Sequence, residues 1–199
     1  MTGFKLLAEP WWVNLLLAIP FVAWYFWRKE GLFMKPGTLF FAALFGAAFG
    51  FVEASVVIYI RAAIGLLPGY GGTLADVARL SANVYQQAQA LNVLPPSFAT
   101  IEFFREAATM IMLACVARLA GKGRRERWAM FLWTFAVWDI FYYVGLSATV
   151  RWPSSLLAGD VLFLVPVPWF SQVWFPLLVS ALTMAAVIAT RKPQEELRR

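Results

Sequence analysis

The chain has 199 residues, 61% of them hydrophobic and 17% aromatic against only 14% charged, a balance that a soluble domain of this length cannot hide from water. The absence of histidine excludes a His-ligated haem, His-rich zinc or copper sites and an ordinary Ser/His or Cys/His nucleophile pair. A single cysteine, Cys115, excludes an intramolecular disulfide and a cysteine-ligated cluster, and reads as an apolar filler in a helix.

Taken in chain order, the apolar stretches predict an all-α, polytopic transmembrane helical bundle of about five spans, at 11–27, 38–60, 98–120, 128–150 and 171–190. Each approaches or exceeds the ~20 residues that cross a hydrocarbon core of about 30 Å. The loops between them are too short to fold alone, so residues 1–199 read as a single integral membrane domain. The first span is the shortest and carries Pro20. Trp11, Trp12, Trp24 and Trp27 place rings near both of its ends, where headgroups meet water. Pro176 interrupts the last span in the same way, and neither proline implies a mechanism.

Basic residues alternate between loops. Arg28, Lys29 and Lys35 follow the first span, Arg118, Lys122, Arg124, Arg125 and Arg127 join the third to the fourth, and Arg191, Lys192, Arg198 and Arg199 end the chain. The other loops hold only Lys5, Arg61, Arg79 and Arg151. Retention of basic loops in the cytoplasm predicts an N-terminus outside and a C-terminus inside. Topology therefore accounts for the net charge of +6, and no nucleic-acid partner is expected. No cleavable signal peptide is expected either, since the positive charge follows the first apolar segment.

Apart from Arg118 near the end of the third, five charged residues fall inside these stretches: Glu53, Glu102, Arg105, Glu106 and Asp139. A charge at bilayer depth costs roughly 3 kcal/mol or more, which demands a paired, hydrated or shared interior. At ~1.5 Å per helical residue, Glu53 lies roughly 8 Å below the outer boundary, Glu102 and Glu106 roughly 6 and 12 Å below it, and Asp139 near the midplane. Glu102 and Glu106 share a helix face, with Arg105 one turn from Glu102. Tyr142 and Tyr143 stand one turn above Asp139. Glu53 shares its helix with Gly46 and Gly50, a spacing that permits close helix approach and reads as packing.

Two outer connections lie near this polar layer. Thr73 and Asp76 resemble a capping box ahead of an amphipathic pattern reaching Leu91, which predicts an interfacial helix over the layer. Residues 161–170 are apolar but too few to span, and Pro166 and Pro168 break them, which predicts a re-entrant or interfacial segment of irregular backbone. Arg61, Arg151, Asp160 and Trp169 would then stand at the mouth of the site, although Trp169 and Trp152 also read as interface anchors.

The run Trp138-Asp139-Ile140-Phe141-Tyr142-Tyr143, with Trp152-Pro153, Asp160 and Pro166-Val167-Pro168-Trp169, resembles an uncharacterised group of bacterial multi-pass membrane proteins. Glu102-Phe103-Phe104-Arg105-Glu106 adds a further element. The resemblance implies a membrane fold, hence a bacterial inner-membrane location, and implies no activity. Intramembrane prenyl-protein proteases also use glutamates and arginine in helices, but their pattern needs histidines that this chain lacks.

Function is therefore expected at the polar layer. Glu53, Glu102, Glu106 and Asp139 form a candidate site for a hard divalent cation such as magnesium, manganese or calcium, with Arg105 and Tyr142 or Tyr143 orienting them. That site would serve either lipid-directed chemistry or transport, and crowded carboxylates could equally carry protons. Two alternatives stand beside it: a non-catalytic subunit of a larger membrane complex or homo-oligomer, and a lipid-headgroup binder or flippase using Arg105 with Arg61 or Arg151. Single buried ion pairs that only fix helix register remain the plainest reading of any one pair. Whether the chain is an enzyme stays open.

Overall fold

The structure, a computed structural model, describes residues 7–63, 73 and 96–193. The first apolar stretch forms two consecutive helices, a 3-10 helix over Trp11–Ala18 and helix α1 over Ile19–Trp27. Pro20 lies in the first turn of α1, where its missing N–H breaks no helical bond, so the proline marks a change of helix type. Asn14 anchors the entry: its side-chain oxygen accepts from the Ala8 N–H at 2.9 Å, and its amide donates back to the Ala8 carbonyl at 2.9 Å.

Among the described residues, three long helices and a shorter one follow: α2 (Pro36–Ala63), α3 (Pro96–Ala120), α4 (Arg124–Val150) and α5 (Trp174–Thr190). Two of them are long and apolar enough to cross a membrane, α2 over Pro36–Tyr59 and α4 over Arg124–Val150. Only 33% of the most apolar stretch of α2 is buried, which sets it apart from the core helix of a soluble protein. Phe40, Phe41, Leu44, Phe51 and Val52 point outward from it, an exposed apolar face of the kind that marks a protein or membrane contact. Helix α3 has 25 residues, but every 18-residue stretch of it holds at least three charged side chains.

Helices α2 and α4 form the closest pair. A Cβ placed on Gly46 would stand 2.9 Å from the Thr134 carbonyl oxygen, and one on Gly50 would stand 2.9 Å from the Tyr142 amide nitrogen, so both glycines let the α4 backbone approach. Trp133 closes the seam by donating its indole N–H to the Leu39 carbonyl at 3.0 Å. Helix α4 also packs on α3 and α5, and α5 on α1, whereas α2 meets α3 sparsely.

The basic loops gather at one end. Arg125 pairs with Glu30, the Leu32 N–H donates to Thr190 O at 2.9 Å, and Arg191 Nε donates to Met34 O at 3.0 Å. The opposite end departs from an all-α expectation. Residues 161–170, expected as irregular backbone, lie in an antiparallel hairpin of β1 (Gly159–Phe163) and β2 (Trp169–Gln172). Glu9 extends it by exchanging backbone bonds with Phe170 at 2.8 and 2.7 Å. Pro166 and Pro168 fall between the strands, where no ladder donor is required, while Val161, Phe163, Trp169 and Phe170 supply the strands with residues that favour extended backbone. Helix α4 ends on Arg151 in the left-handed conformation (φ 55°), and its N–H donates to Ser147 O at 3.1 Å.

Candidate functional site

An ion triad joins α2 to α3. Arg105 of α3 donates its Nε to Glu102 Oε1 at 2.8 Å, within one helical turn, and its guanidinium also pairs with Glu53 of α2. The Thr109 hydroxyl lies 3.1 Å from the Arg105 carbonyl and 3.4 Å from Glu53 Oε2, which places it at the α2 side of the triad. Glu53 is buried, with 7% of its surface exposed, because the glycine seam draws its helix into the bundle. Two carboxylates thus share one guanidinium. Oε2 of Glu102 is buried and has no hydrogen-bond partner among the described residues.

Glu106 turns to a different neighbour. Both of its carboxylate oxygens accept from the Leu164 N–H, at 3.0 and 2.8 Å, at the tip of the hairpin. A strand that ends at Phe163 leaves the next N–H without a ladder partner, and Glu106 supplies one. Such charge-assisted bonds are roughly twice as strong as neutral ones. Glu106 therefore fastens the hairpin to α3.

A second acidic group lies between α4, α5 and the hairpin. Asp139, buried, accepts from the Ser180 hydroxyl at 2.8 Å. Tyr143, one turn along α4, donates its phenol to Asp160 Oδ2 at 2.9 Å, and Asp160 on β1 is wholly enclosed. Tyr142 packs edge-on against Tyr143 with centroids 5.0 Å apart.

Between the triad helix and this group is a cavity of about 270 Å³. Glu106 and Met110 of α3, Phe135 of α4, Ser180 of α5, and Phe163 and Trp169 of the hairpin contribute to its wall. Trp169 packs edge-on against Trp12 at 5.1 Å between centroids.

The residues expected to form one polar site therefore fall into separate groups. Glu53, Glu102 and Arg105 come together, Asp139, Tyr143 and Asp160 form a second cluster, and Glu106 serves the hairpin. Among the described residues, no three acidic or cysteine side chains converge as a metal-binding group, so Glu53, Glu102, Glu106 and Asp139 do not form one four-carboxylate site there. The physical reason is that Glu106 and Asp139 each face a donor on another element. Arg151 is exposed at the end of α4, while Trp169 joins the cavity wall. The Arg61 side chain and the amphipathic stretch beyond Thr73 lie outside the described residues. Thr109, Ser180 and the Leu164 backbone were not anticipated. Ser180 and Thr183, spaced i and i+3 on an otherwise apolar helix, were the available sign of a polar face.

The chain matches no protein-family model, and neither curated proteins nor solved structures give a significant match. The resemblance in the C-terminal half rests on its motifs alone.

Proposed function

We propose that this protein is a five-span integral membrane protein of the bacterial inner membrane whose buried acidic layer binds a cation, for transport or for work on a membrane lipid. The observation that carries the reading is the buried Oε2 of Glu102, without a hydrogen-bond partner among the described residues, in a triad where two carboxylates share one guanidinium. In the ionised state that triad holds a surplus negative charge at a depth where charge is costly, and one added cation neutralises it. A proton or a monovalent ion fits this need, since the triad lacks the third acidic ligand that hard divalent ions favour. Gathering of the basic loops at one end supports a cytoplasmic placement of that end, with the hairpin and the N-terminus outside.

Calorimetric titration of the purified protein with sodium, potassium, magnesium and manganese, with proton release counted alongside, tests the reading. One monovalent ion or proton per chain, lost in Glu102→Gln, is expected. Absence of any cation uptake overturns it. Stoichiometric magnesium or manganese would restore the divalent site in place of the monovalent one.

A second reading has its own observation. Because α2 and α3 meet sparsely, the triad is a main tie between them, as in a register-fixing ion pair of a non-catalytic subunit. On that reading Glu102→Gln lowers stability and changes no cation binding.

A further inference from the structure

We propose that the cavity beneath the hairpin is a binding site for one hydrocarbon chain of a membrane lipid. The inference rests on the lipid-directed form of the function above and names its ligand. The cavity, about 270 Å³, is walled almost wholly by carbon. Two of its few polar groups are engaged elsewhere: Glu106 accepts from Leu164, and Ser180 donates to Asp139. Water needs two to four polar partners to be held, so this interior favours hydrocarbon. A space of this volume takes part of a single hydrocarbon chain.

Two further observations fit a lipid. Leu16 and Ile19, beside the exposed apolar face of Leu15, Phe21 and Val22, bring the cavity wall to the outer surface of the first helices, where chains are at hand. Trp169, also in the wall, has a buried indole N–H without a hydrogen-bond partner among the described residues. A small shift of the ring would bring this donor to an ester carbonyl at the head of the chain, and a donor left unmade is costly. The hairpin tip, held by Glu106, closes one side of the space through Phe163 and Val165.

The test is photo-cross-linking in nanodiscs that contain phosphatidylglycerol bearing a diazirine in one acyl chain, with labelled peptides mapped by mass spectrometry. Expected are adducts on cavity-wall peptides carrying Met110, Phe135 and Phe163, in addition to adducts on the outward Phe40 and Phe41. Ala107→Trp and, separately, Met110→Trp fill the cavity and should reduce wall adducts at least fivefold, with outward adducts unchanged as a check that the fold persists. Adducts confined to outward faces in the wild type, or wall adducts undiminished in both variants, overturn the proposal. Cation uptake measured on the same preparation separates the two failures: uptake without wall adducts rejects the chain site alone, and loss of both rejects the underlying function.

Discussion

At Arg105 the geometry makes a demand that few residues can meet, since one planar guanidinium serves a carboxylate on its own helix and another on α2. Arg105→Ala leaves two carboxylates facing each other in a buried layer, and removal of one partner of such a pair costs about 3–5 kcal/mol. A large fall in the thermal midpoint of the detergent-solubilised protein is expected, with Arg105→Lys intermediate because an ammonium cannot fork between both partners. Ser180→Ala removes the hydroxyl that donates to the buried Asp139 and should cost about 1–3 kcal/mol, whereas Ser180→Thr should largely keep the bond. Chemical denaturation of the two variants side by side checks this, and equal loss in both would show that Asp139 does not depend on the hydroxyl.

At the scale of elements, the α2–α4 seam and the hairpin carry the testable content. Gly50→Ala forces its methyl against the α4 backbone, so the helices must separate or strain at a cost of about 1–3 kcal/mol. Gly37, at the start of the same helix, has nothing within 4 Å of a built Cβ, and Gly37→Ala should be neutral or stabilising by up to ~1 kcal/mol. A comparison of melting points distinguishes a packing glycine from one of no consequence. Glu106→Ala removes the acceptor that holds Leu164, and faster amide exchange at the hairpin tip is expected with the helices unchanged. Legibility differed among these elements for physical reasons. The glycine seam was readable because close approach has a fixed spacing, four residues apart, that any helix must obey. The hairpin was not, because a short apolar run with two prolines excludes a helix without specifying a strand, and the pairing that decides it comes from residues 159–163 and 169–172 together. The pairing of Arg105 with Glu102 was visible as one helical turn, while its contact with Glu53 depended on how two distant helices dock.

For the molecule as a whole, hydropathy picked out α2 and α4 as helices able to cross a membrane and placed α3 beside them despite the charged side chains in its first half; it gave no sign that the first stretch changes helix type at Ile19. The depth estimate brought Glu53 and Glu102 to one level, and their shared guanidinium accords with that, yet level did not settle direction: Asp139 and Glu106 turn to α5 and the hairpin. Orientation is open to direct measurement. In a Cys115→Ala background, a cysteine at exposed Ser155 should react with an impermeant maleimide from outside, and one at exposed Lys122 only after permeabilisation. The central claim, that carboxylates of the buried layer bind a cation, is tested most directly by infrared difference spectroscopy of reconstituted protein while the bathing cation or pH is switched. The account predicts a carboxylate band that changes with the switch and disappears in Glu102→Gln. A spectrum in which no carboxylate band responds would contradict it.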